Sequence, residues 1–166
     1  MEKVKKKFTL GLSSIIEDTE DFLKASDVIY KKMQVDENGI PQDFSFAYPY
    51  AVLSCYTIES GIKNLLIKNQ ILFNRKHDLL ALFDLLPSHL KTEIYLSKGV
   101  FWNDGVYKET PKIIFRDLLE KNKTNFVDTR YFFEQKTKDL YICVNFLKDL
   151  SHVIYNLVKR EIQYAN

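Results

Sequence analysis

Turn-forming residues are scarce in this chain: five glycines and four prolines among 166 residues leave few places for tight reversals. Long elements with few connections are therefore expected. Cysteine is scarcer still. Cys55 and Cys143 stand far apart among apolar neighbours, with no second cysteine or histidine at a metal-binding spacing. That excludes a disulfide framework and a zinc module, and leaves two reduced, buried thiols. The balance of 24 basic against 22 acidic side chains gives a net charge of +2, so no global field recruits nucleic acid and any phosphate site must be local. No apolar run approaches the roughly 20 residues that span a bilayer. The opening MEKVKKKFTLGLSSII pairs a basic start with a mildly apolar stretch, but Thr9, Ser13 and Ser14 interrupt it, no small-residue cleavage site follows and EDTED comes next. A cytoplasmic protein is expected, with no membrane association. Lys3, Lys5, Lys6 and Lys7 read as a solvated end. Glycine-rich phosphate loops, the nucleophile elbow, the zinc-protease helix and paired cysteines do not occur, and neither a metal nor a cofactor is expected.

What is present suits a folded domain. Apolar residues make up 46% and charged residues 28%, too apolar for general disorder, and a chain of this length buries roughly 70% of the surface its unfolded form exposes. One domain over residues 1–166 is expected. Phe8, Leu12, Ile15, Ile16, Phe22, Leu23, Ile29, Tyr30 and Met33 recur at steps of three and four, the stripe of a long first helix. DENGIPQD then supplies Asn38, Gly39 and Pro41 to end that helix and reverse the chain. A second helix starts near Pro49, a residue tolerated in a first turn, and runs through YAVLSCYTIESGIKNLLIKNQ. Its core positions include Leu53, Tyr56, Ile58, Ile62, Leu65 and Leu66, and Glu59 with Lys63 forms an i,i+4 pair. His77 and Asp78 open a short helix that Pro87 stops. Helical pieces over 88–96 and in KIIFRDLLEKN follow, then a long last helix from about Lys138 to Gln163 with Leu140, Val144, Leu147, Leu150, Ile154, Leu157 and Val158 on its apolar face. SKGVFWNDGVYKETP reads as a loop whose Trp102 either folds onto the core as a lid or meets a partner. Nothing alternates with period two for long, so the fold class is all-α: an antiparallel helical bundle of three long helices plus shorter ones.

Three segments in order, TIESGIKNLLIKNQ, KHDLLALFDLLP and FVDTRYFFEQ, resemble the HEPN domain, a helical module of bacteria, archaea and eukaryotes. The matching positions are Glu59, Lys63, Leu65 and Leu66, then Lys76, His77, Asp78 and Leu79, then Arg130 and Tyr131. The resemblance spans about Tyr48 to Gln163 and implies a HEPN-like bundle in which Glu59, Lys63, His77, Arg130 and Tyr131 are binding residues. Each also has a plainer reading. Glu59 and Lys63 make a surface helix pair worth about 0.2–0.5 kcal/mol. His77 makes a helix-start residue that hydrogen-bonds nearby backbone. Arg130, between Asp128 and Glu134, makes an ion pair that locks a loop against the bundle, in place of a phosphate contact.

Members of that family that cut RNA carry an arginine, usually followed by a polar residue, four to six residues before a histidine on the last helix, and two copies meet there. Histidine can move a proton between a ribose 2′-hydroxyl and the leaving oxygen near neutral pH, while arginine offsets the growing charge on phosphate. Here His152 takes the histidine's place, but no arginine precedes it at that spacing. Lys148, four residues earlier, and Asn145, seven earlier, share its helix face. Lysine neutralises phosphate as a point charge without the planar fork that holds two oxygens. A related branch carries a tyrosine two residues past the histidine that a partner nucleotidyltransferase modifies; here Tyr155 falls three past. As residues alone, Lys148, Asp149, His152, Lys159 and Arg160 are the solvated side of an amphipathic helix, and His89 has less context still.

The sequence therefore leads to a non-catalytic HEPN-like module that forms a homodimer and binds RNA or a partner protein such as a nucleotidyltransferase. The resemblance places it in phage defence or a toxin–antitoxin pair. One alternative is a metal-independent endoribonuclease whose catalytic residues are Asn145, Lys148 and His152. Another is an all-α adaptor anchored by some of the 10 tyrosines and 12 phenylalanines, with Phe101, Trp102 and Tyr107 as an exposed patch.

Overall fold

The computed structural model describes the backbone of residues 2–38, 40–74, 77–97, 111–130 and 141–163, and within these the side chains from Glu17 onward other than 111–113, 126, 129, 130, 162 and 163. The fold is all-α. Its helices are α1 (Glu2–Met33), α2 (Ala47–Lys68), α3 (Leu79–Asp84), α4 (Ser88–Leu96), α5 (Pro111–Asn122), α6 (Asn125–Arg130) and α7 (Val144–Gln163), with a 3-10 turn at Phe44–Phe46 ahead of α2. Among the described residues no strand forms beyond a single bridge, Val35 to Pro41. No helix described is long and apolar enough to cross a membrane.

The ends of the long helices follow from local chemistry. α1 stops where Gln34 turns left-handed, at φ 49°. The Asp36 carboxylate then accepts the amides of Asn38 and Ile40 at 2.9 and 2.8 Å, folding the DENGIPQD segment back on itself. At the end of α2, Gln70 is also left-handed, at φ 59°. There the amides of Ile71 and Gln70 donate to the carbonyls of Leu66 and Ile67 at 2.9 and 3.0 Å, the paired bonds of a Schellman motif. Asp78 is the N-cap of α3 and accepts the Ala81 amide at 2.9 Å, a stronger role than the dipole contact its position suggests.

The last helix begins at Val144, and Tyr141 to Cys143 are non-helical. Two buried asparagines explain the late start. Asn125 donates to the Tyr141 carbonyl at 2.8 Å, and the Asn122 side-chain oxygen accepts the Cys143 amide at 3.2 Å. Backbone groups that would propagate a helix are thus already satisfied. The expected start near Lys138, with Leu140, lies outside the described residues. So do Lys76, Phe101, Trp102 and Tyr107, and the side chains of Phe8, Leu12, Ile15 and Ile16.

The helix α2 is the centre of the bundle. Its 22 residues hold only three charges, Glu59, Lys63 and Lys68, and it packs on α1, α3, α6 and α7. Tyr50, Ala51, Cys55, Ile58, Ile62, Leu65 and Leu66 are all buried, while Leu53 and Tyr56 are half-buried. Burial pushes the Cys55 thiol up, keeping it protonated and inert; Cys143 is half-buried and also a free thiol.

Contacts fix the directions of the three long helices. Met33 of α1 lies beside Gln42 and Asp43 at the entry to α2, and Thr19 reaches Ser60 and Asn64, so α1 and α2 run antiparallel. Tyr30 meets Asn145 and Asp27 meets His152, so α1 and α7 also run antiparallel. Between α2 and α7 the order is the same on both: Tyr50 donates to the Val144 carbonyl at 3.1 Å, and Gly61 lies against Ile154 and Val158. These two helices are parallel, which the expectation of antiparallel neighbours did not include. The long connection from 69 to 143 returns the chain to the end at which α2 began, a route short loops do not allow.

Candidate functional site

The three α7 residues singled out for catalysis stand together, and each meets a residue of α1. His152 Nε2 lies 2.8 Å from Asp27 Oδ1. The Tyr30 hydroxyl donates to Asn145 Oδ1 at 3.0 Å. The ammonium of Lys148 sits 4.2 Å from the centroid of the Tyr30 ring, over its face, a favourable cation–π position. Tyr30 is itself steadied by the ring of Tyr50, 5.8 Å away. Steps of three and four put Asn145, Lys148, His152 and Tyr155 on one stripe of α7, and the antiparallel run of α1 supplies Tyr30, Asp27 and Glu20 to that stripe in reverse order.

The seam is polar but not open on all sides. His152 and Asp27 keep 41% and 34% of their side-chain surface exposed. Beside them, burial raises the Asp149 carboxyl above its ordinary value, an effect that Lys148 and His152 only partly offset. Further along, burial and the neighbouring Glu20 carboxylate push the Tyr155 phenol up. The pairing of Asp27 with one imidazole nitrogen fixes how the ring is turned, as a carboxylate orients histidine in proton-transfer sites. The residues missed by sequence reading are Asp27 and Tyr30. Its spacing puts Tyr30 in the apolar stripe of the first helix; it is half-buried, with its ring packed and its hydroxyl on Asn145.

A guanidinium does not join this seam among the described side chains. Arg116 holds both oxygens of Asp84, at 2.6 and 3.0 Å. Arg160 holds both oxygens of Glu93, and also reaches Glu161 at 2.9 Å. Both are committed to carboxylates in forked pairs. Arg160 is thus not simply a solvated position on α7, since it ties that helix to α4.

The binding residues drawn from the resemblance separate into two groups. Glu59, Lys63 and His77 come together. Glu59 is only 4% exposed, and its carboxylate accepts from Lys63 one turn along α2 and meets His77 Nδ1 at 2.9 and 3.1 Å. The plain reading of Glu59 and Lys63 as a surface pair is corrected here: α2 is covered on most sides, so the carboxylate lies inside and needs both partners. The Glu59 side chain that His77 meets lies 18 residues earlier in the chain, on α2. Arg130 ends α6, with its side chain outside the described residues, and Tyr131 lies outside them altogether. Asp128, expected near Arg130, accepts from the Thr124 hydroxyl at 2.6 Å.

No group of three or more histidine, cysteine, aspartate or glutamate side chains arranged to hold a metal ion occurs among the described residues. Comparison with protein-family models, curated proteins and solved structures returns no match.

Proposed function

We propose that this chain is a HEPN-like helical module that binds and does not cut. The observation that carries this reading is the engagement of all three α7 candidates by α1: His152 by Asp27, Asn145 by the Tyr30 hydroxyl and Lys148 by the Tyr30 ring. An RNA-cutting centre needs a proton carrier and a forked cation converging on one phosphate. Here the described arginines are held by Glu93 and Asp84, and the lysine is laid over an aromatic face. The polar stripe therefore staples the first helix to the last. In this reading the chain acts as a homodimer joined along α7 and recognises RNA or a partner protein such as a nucleotidyltransferase, in a cytoplasmic setting that includes phage defence or toxin–antitoxin pairing.

A second reading has one observation in its favour. The half-exposed His152, oriented by Asp27, has the form of a carboxylate-held proton carrier, so a metal-independent endoribonuclease using Asn145, Lys148 and His152 is the alternative. The dimer is tested by sedimentation equilibrium of the purified chain at micromolar concentration. A dimer is expected, and a monomer overturns the proposed mode of action.

A further inference from the structure

We propose that a hollow on the outer strip of α2 binds a small, neutral, planar aromatic amide. Tyr56, Ser60, Lys63 and Ile67 follow one another at steps of four, three and four, which sets them along a single strip of the helix. Together with Asn64 and Phe73 they bound a cavity of about 220 Å³, smaller than the roughly 300 Å³ at which drug-sized sites begin. Phe73 is delivered there by the reversal at Gln70. Tyr56 is held in place by Phe22 of α1, whose ring centroid is 4.1 Å from its own.

The polar groups of the hollow define what fits. Asn64 is fully buried, and its amide nitrogen reaches Thr19 Oγ1 at 3.4 Å, while Thr19 and Ser60 share a hydrogen bond of 2.8 Å. The carboxamide oxygen of Asn64 has no partner among the described residues. A buried acceptor left without a donor is uncommon in native proteins, and the soft terminal torsion of asparagine allows it to turn toward the cavity. Lys63 spends one of its three donors on Glu59 and lies 6.0 Å from the Phe73 centroid, so two N–H groups remain for a guest. Charge selects further. An anion would face the Glu59 carboxylate and a cation would face Lys63, so a neutral guest is favoured. A primary aromatic amide meets every feature at once, with its N–H₂ on Asn64, its carbonyl on Lys63 and its ring between Tyr56 and Phe73.

The test is a titration of the full chain with benzamide, benzoate and toluene, followed by ¹⁵N–¹H correlation spectra. Benzamide is expected to shift the Asn64 side-chain amide and the backbone amides of Ser60 and Phe73 saturably, with a Kd of about 1 mM for so small a ligand. Benzoate and toluene should bind at least about tenfold more weakly. Asn64→Leu, of similar size, is expected to keep the melting temperature and lose the benzamide response. Lys63→Met, which leaves Asn64 untouched, should weaken binding by about tenfold. A benzamide response that does not saturate, that toluene equals, or that survives in both variants overturns the proposal.

Discussion

Asp27 on the first helix and His152 on the last lie 2.8 Å apart across 125 residues of chain. The pair joins the first helix to the last at the seam where the candidate catalytic residues gather. Its energy is small, because both side chains remain more than a third exposed and water screens the attraction. A double-mutant cycle of Asp27→Ala and His152→Ala, followed by urea unfolding, should give a coupling of about 0.2–1 kcal/mol. A coupling indistinguishable from zero would show that the two side chains are merely neighbours.

Glu59 presents the opposite case. Its carboxylate is buried between Lys63 and His77, so Glu59→Ala removes the group that both side chains meet. The loss should reach about 1–3 kcal/mol in chemical denaturation, above the roughly 0.5 kcal/mol typical of surface changes. Glu59→Gln should fall between, since it keeps an acceptor without the charge. If Glu59→Ala behaves like a surface substitution, the buried pairing is not what holds this part of α2.

How much of this was readable in advance depends on which interactions are local. The long helices were legible, because an apolar residue every third or fourth position from Phe22 to Met33 or from Leu147 to Val158 has few other uses. Pro49, Asp78 and the DENGIPQD turn marked boundaries for equally local reasons. The common face of Asn145, Lys148 and His152 was legible as spacing. Their partners were not, because Asp27 and Tyr30 sit on another helix and nothing in α7 names them. The burial of Glu59 has a signal in the sequence: from Ala47 to Ile58 the helix carries no charge at all, which marks a helix covered on most sides. The parallel run of α2 and α7 had no local signal, since it depends on where a long connection brings the chain back.

Gly61 tests that parallel packing directly. A Cβ built there would lie 2.3 Å from Cγ2 of Ile154 on α7, and a β-branched side chain has little freedom to swing away. Gly61→Ala should therefore destabilise by about 1–3 kcal/mol despite the better helix propensity of alanine. Adding Ile154→Ala removes the obstructing methyl, so the double variant should be less destabilised than the two single changes combined. Full additivity would mean that α2 and α7 do not meet at these residues.

Asp149 gives the seam a pH dependence. Burial raises its carboxyl in the folded state, so the folded form binds the proton more tightly than the unfolded form. The favourable contribution of that proton is complete below the unfolded value near 3.8 and is lost as pH rises through the higher folded value. Asp149→Asn should consequently raise the melting temperature at pH 7, with the gain shrinking toward zero as the pH falls below about 4. Thermal unfolding at several pH values checks this; a gain that persists unchanged in acid would mean that the carboxylate charge is not its source.

In the proposed reading, the α1–α7 seam binds these side chains to one another and leaves no RNA-cutting centre. Incubating the purified chain with single-stranded RNA in the presence of EDTA, alongside His152→Ala, tests it most directly. The expected result is that neither protein cleaves above the buffer control. Cleavage by the unaltered chain that disappears in His152→Ala would contradict the claim and make His152 a catalytic residue.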